Sequence, residues 1–66
     1  MKITINGREE TFEKELTLDE LLKKKNIRPE IVVVEKNKDI IDKADYKTTT
    51  AKENDILEII HFIGGG

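Results

Sequence analysis

The last three residues, Gly64-Gly65-Gly66, follow directly on an apolar run, Ile56-Leu57-Glu58-Ile59-Ile60-His61-Phe62-Ile63. Glycine has no Cβ and the largest conformational freedom of any residue. Three of them make an arm that reaches about 10 Å from the body, at roughly 3.3 Å per residue. Such an arm can enter a channel that a side chain would block, and a carboxylate at its end is open to activation and attack. Gly66 is therefore the candidate site of chemistry, a terminal carbonyl open to activation, with Gly64 and Gly65 able to thread a narrow channel. The bland readings of the same glycines are a frayed terminus or a cloning scar.

The other constellations that could carry chemistry are weaker. His61 falls in a strand pattern and has no serine or cysteine to activate, because neither residue occurs in the chain. A single histidine and no cysteine also leave no metal cage, disulfide or catalytic thiol. Glu9 with Glu10, and Glu13 with Glu15, fall on strand positions that read as solvated rather than as an acid–base pair. The lysines at 23, 24 and 25 crowd the end of a helix, where cations suit its dipole; an anionic-ligand patch is the alternative. No helix follows the three glycines, so they cannot cradle a phosphate. No catalytic residue and no metal ligand is assigned.

The elements that would position the arm are short and clearly punctuated. Lys2-Ile3-Thr4-Ile5 alternates apolar with polar and runs into Asn6-Gly7, a hairpin signal because both residues accept the positive φ of a type I′ turn. A second strand is expected over Arg8 to Lys14, anchored by Phe12. Thr17-Leu18-Asp19-Glu20 reads as a capping box. Leu18, Leu21, Leu22 and Lys25 then form one stripe of a helix that Arg28-Pro29 should stop. Ile31 to Val34 is a β-branched run suited to an internal strand. Ile40-Ile41 fits a short strand, Asp42 to Tyr46 one helical turn, Thr48 to Thr50 an edge piece and Asn54-Asp55 a turn before the final strand. The expected order is β-β-α-β-β-β, an α+β fold with a mixed sheet of four to five strands and one main helix across one face. A single domain over residues 1–63 with a Gly tail at 64–66 is the expected organisation.

Composition excludes several classes of function. The chain has 66 residues, so its core is small; a domain of this size buries only about 60% of its unfolded surface. Twelve basic and fourteen acidic residues are interspersed, giving a net charge of −2 and no footprint for a nucleic acid. No apolar run approaches the ~20 residues of a membrane helix, and Met1 to Gly7 lack a secretory stretch, so a cytoplasmic setting is expected.

The whole chain resembles the ThiS family, the ubiquitin-like sulfur carriers of thiamine biosynthesis, and more widely the β-grasp proteins. The resemblance is carried by Ile3-Thr4-Ile5-Asn6-Gly7, by Thr17-Leu18-Asp19-Glu20-Leu21-Leu22, by Val33-Val34-Glu35-Lys36-Asn37 before Ile40-Ile41, and most specifically by residues 54–66. His61-Phe62 before the glycines looks like the thiamine branch. Asn54 departs from the glycine the wider family often carries there, and asparagine is the next-best residue for that turn. The resemblance implies no cofactor bound to this chain and no turnover of its own. A ThiF-type adenylyltransferase would use ATP to adenylate Gly66, and persulfide sulfur from a cysteine desulfurase would displace AMP. The resulting thiocarboxylate would supply a ThiG-type thiazole synthase.

Alternation along the last strand puts Glu58, Ile60 and Phe62 on the face opposite Leu57, Ile59, His61 and Ile63. Glu58 marks its own face as the solvent side, so Ile60 and Phe62 are expected to dock partner enzymes; packing of Phe62 against the first hairpin is the alternative. His61, awkward on a core face, is expected beyond the helix near the sheet edge and partly exposed. Three other readings of the chain remain open here. They are a molybdopterin-synthase small-subunit-like carrier, a protein-modifying tag and a β-grasp interaction module with inert glycines.

Overall fold

Asn6 and Gly7 take φ of +50° and +83°, closing a two-residue turn between β1 (Lys2–Ile5) and β2 (Arg8–Thr11) in the computed structural model, which describes residues 1–62. The second strand stops at Thr11, short of the expected Lys14, because β1 runs out of partners. Thr11 pairs with Lys2, and the Phe12 N–H reaches the Met1 carbonyl at 2.8 Å.

A two-residue strand that sequence reading missed, β3 (Leu16–Thr17), leads into α1 (Leu18–Lys24). The capping box forms as expected: Glu20 N–H donates to the Thr17 hydroxyl at 3.1 Å, and Thr17 N–H to the Glu20 carboxylate at 2.9 Å. That bond from the Thr17 backbone holds the Glu20 carboxyl below its ordinary value. The helix ends earlier than Arg28-Pro29. Asn26 turns left-handed at φ +59°, and its N–H reaches Lys23 O while Ile27 N–H reaches Leu22 O at 2.8 Å. These are the two bonds of a Schellman cap, so Asn26 is the stop and the proline comes too late to act. Lys25, expected on the apolar stripe, is instead the C-cap residue and pairs with Glu10 at 2.8 Å.

The chain then makes a 3₁₀ turn (Pro29–Ile31), β4 (Val32–Lys36), β5 (Asp39–Ile41), a second 3₁₀ turn (Lys43–Asp45), β6 (Thr50–Ala51) and β7 (Ile56–His61). Five strands form one sheet in the order β2-β1-β7-β4-β5, with β1 parallel to β7 and the other neighbours antiparallel. The edge piece expected at Thr48 to Thr50 lies one to two residues later. It pairs with β3 in a separate two-stranded sheet, Leu16 opposite Ala51 and Thr17 opposite Thr50. Asn54 turns the chain into β7 at φ +70°, the left-handed conformation asparagine tolerates.

Leu18, Leu21 and Leu22 of the helix join Ile3, Ile5, Val32, Val34, Leu57 and Ile59 in one core that Leu16, Tyr46 and Ala51 complete. Tyr46 is buried with its hydroxyl accepting the Val34 N–H at 3.2 Å, which closes the end of the β4 ladder where β5 departs. The strand order places β7 in the middle of the sheet.

Candidate functional site

β7 is the strand that leads to the glycines, and two asparagine side chains hold it from opposite sides. On the β1 side the turn at Asn6-Gly7 takes the backbone away, so β1 has no main-chain group left for Ile59. The Asn6 amide substitutes: Oδ1 accepts from Ile59 N at 2.7 Å and Nδ2 donates to Ile59 O at 3.2 Å. On the β4 side the chain turns at Asn37-Lys38, both at positive φ. Asn37 Oδ1 accepts from Ile56 N at 2.9 Å, and Asn37 N–H donates to Ile56 O at 2.8 Å. Its Nδ2 reaches Asp55 at 3.0 Å, and Asp55 also caps Lys52 N at 2.8 Å. Each asparagine thus serves a left-handed turn with its backbone and the central strand with its amide.

At the end of β7 the Phe62 N–H donates to Ile31 O at 2.9 Å, in the first 3₁₀ turn. Lys43, which opens the second 3₁₀ turn, lies with its ammonium 5.1 Å from the centre of the Phe62 ring. The same ammonium donates to the Glu30 carbonyl at 2.7 Å. The Phe62 hydrogen bond and cation–ring contact therefore both lie with the two 3₁₀ turns.

The outward face of β7 carries Ile56, Glu58 and Ile60, between the buried Leu57 and Ile59. Ile60 and Phe62 are 48% and 51% exposed, a large fraction for apolar side chains in so small a domain. Register extends the face across the neighbouring strands: Val33 lies opposite Ile60, and Glu35 opposite Glu58 and Ile40. Two glutamates directly across a ladder repel. Among the described residues neither carboxylate has an ion-pair or hydrogen-bond partner. His61 is exposed as expected, but for a different reason. It sits at the far end of the central strand, opposite Val32, rather than near a sheet edge.

Gly64, Gly65 and Gly66, and with them Ile63, lie outside the described residues. Among the described residues no group of three or more His, Cys, Asp or Glu side chains is placed to hold a metal, and no helix is long and apolar enough to cross a membrane. Sequence reading missed Asn6, Asn37, Glu35 and Lys43 as neighbours of the site. The first two were visible only as turn residues, and the others become neighbours only through register and packing.

A five-stranded mixed sheet with one main helix on one face, its central strand leading to the C-terminus, defines a ubiquitin-like β-grasp protein. The crystal structure of the thiamine biosynthesis protein ThiS from Geobacter metallireducens has that fold; it is 33% identical, covers 100% of both chains and superposes with a TM-score of 0.88. The chain belongs to the ThiS family, whose model matches residues 3–66. The sulfur carrier protein ThiS of Bacillus subtilis is 37% identical over 65 residues, covering 97% of this chain and 98% of that one. The thiazole synthase of Magnetococcus marinus is 41% identical over 66 residues. There, and in its counterpart from Paramagnetospirillum magneticum, the chain spans only 20% of the relative's length.

Proposed function

We propose that this chain is a sulfur carrier of thiamine biosynthesis that works through its terminal carboxylate and turns nothing over itself. The observation that supports this most is the reach of the family match, which runs through residue 66 and so includes the three glycines. Residues 1–63 form the body in this reading, and residues 64–66 form the arm.

The Gly66 carboxylate attacks the α-phosphorus of ATP on a ThiF-type adenylyltransferase. An oxygen–phosphorus bond forms, pyrophosphate leaves and an acyl-adenylate results. A persulfide that a cysteine desulfurase has charged with sulfur attacks the acyl carbon and expels AMP. Cleavage of the remaining sulfur–sulfur bond by a thiol leaves the thiocarboxylate. Every thiol in that relay belongs to a partner, since the chain has no cysteine. The charged carrier then delivers sulfur to a thiazole synthase, a pairing that the match inside two longer thiazole synthases supports. The relay is placed in the cytoplasm, and ATP is the partner's substrate rather than this chain's cofactor.

The test is intact-mass analysis after incubation with ATP, a ThiF-type enzyme, a cysteine desulfurase and cysteine. Exchange of one oxygen for sulfur, localised by fragmentation to Gly66, is expected. An unchanged mass with an active partner set would leave an inert β-grasp module as the better reading.

Glu58, Ile60 and Phe62 form the docking surface for these enzymes. The Glu35–Glu58 opposition across β4 and β7 supports this assignment, since a cationic side chain from a partner would relieve the repulsion. Glu58→Gln is then expected to stabilise the free protein by about 0.2–1 kcal/mol, which raises Tm by a few degrees in a domain this small. The same change should raise the KM for the carrier about threefold or more and flatten its dependence on salt. A higher Tm with an unchanged KM would remove Glu58 from the docking surface.

A further inference from the structure

Lys43 is exposed and has no ion-pair partner among the described residues, yet its ammonium is committed to two neighbours. It donates to the Glu30 carbonyl at 2.7 Å and lies 5.1 Å over the Phe62 ring. Phe62 is meanwhile bonded through its N–H to Ile31 O, one residue along the same 3₁₀ turn. Lys43 therefore ties three segments together at the last described residue before the glycines: the Pro29–Ile31 turn, its own turn and the end of β7. A cation attracted to a ring face and anchored at a second point restricts the ring more than either contact alone. The other half of the Phe62 surface stays open to solvent.

We propose that Lys43 is a positioning residue for the C-terminal chemistry, acting through Phe62 to fix the point and direction from which the arm starts. This rests on the carrier reading of Gly66. A short arm has little slack. With the ring held at one side and its N–H bonded to Ile31 O, the Phe62 backbone has less room to shift, and catalysis is sensitive to misplacements of about 1 Å.

The test compares Lys43→Met, which keeps the stem and removes the charge, with Lys43→Arg, which keeps a cation and a donor. In the free protein, amide hydrogen exchange at Phe62 should quicken about fivefold in the methionine variant and return towards wild type with arginine. In adenylation by the ThiF-type enzyme, kcat should fall about fivefold with Lys43→Met and KM should change less, because Glu58 and Ile60 of the docking face keep their places and only Phe62 is loosened. The cost of Lys43→Met should largely vanish in a Phe62→Leu background, since lysine acts through the ring. Unchanged exchange at Phe62, or a loss of kcat that persists in full without the ring, would overturn the proposal. A wild-type chain that is never adenylated would sink the carrier reading instead, and the exchange data alone would then decide whether Lys43 holds Phe62.

Discussion

Deleting Gly66 is expected to abolish adenylation while leaving Tm unchanged. The shortened chain still ends in a glycine carboxylate with the same intrinsic reactivity, so chemistry alone predicts no loss. Reach predicts a large one. One residue spans about 3.3 Å, whereas reacting atoms must come within about 3–3.5 Å and a 1 Å error already costs about a hundredfold. A deficit of a whole residue should therefore lower the rate by about a thousandfold or more, into the background of the assay. Stability should hold because the buried core of the described chain is built from residues between Ile3 and Ile59. Pyrophosphate release and a thermal melt on the same preparation check both halves. Adenylation at Gly65 at near-normal rate would refute the fixed-reach argument, and a drop in Tm would show that the tail contributes to folding.

Much of the fold is legible because local chemistry and tertiary structure agree. The Asn6-Gly7 turn, the Thr17–Glu20 capping box and the alternation of Leu57 and Ile59 with Glu58 and Ile60 appear in the structure as read. The β3–β6 pair was illegible for a physical reason. Two residues show no periodicity, and Leu16 and Ala51 are brought together only by the tertiary fold. The helix stop was misassigned because proline is a louder signal than asparagine. The left-handed Asn26 nonetheless ends the helix before Pro29 is reached.

The candidate site divides in the same way. Exposure of Ile60 and Phe62 follows from strand period once Glu58 marks the solvent face, and the structure agrees. What period cannot give is the identity of cross-strand and end-of-strand neighbours. Glu35 meets Glu58 through the β4–β7 register, and Lys43 meets Phe62 through two 3₁₀ turns. Both neighbours change what the exposed residues can do, one by charge and one by orientation.

Asn6 shows the cost of reading a residue for its backbone alone. Asn6→Ala is expected to destabilise the protein by about 3 kcal/mol, from two separable causes. It leaves the Ile59 N–H without its partner, worth about 1–3 kcal/mol, and it places an alanine at φ +50°, worth about 1–2 kcal/mol. Against a total of roughly 3–10 kcal/mol for a chain of this length, that is a large share, and Tm should fall by at least about 10 °C. Asn6→Gly keeps the turn and loses only the clamp, so it should cost about 1–2 kcal/mol. Asn6→Asp keeps the 2.7 Å acceptor but turns a carboxylate oxygen on the Ile59 carbonyl where the 3.2 Å donor stood, so it should recover only part of the clamp. Urea melts of the series give the ranking directly. A neutral Asn6→Gly would mean that the turn matters and the clamp does not. If the clamp does matter, exchange at the Ile59 amide should quicken in the glycine variant while exchange at Leu57 stays slow, because Leu57 keeps its backbone pairing to β1. The strand that leads to the arm would then be held from the far side of the sheet by a residue that reads, in sequence, only as a turn.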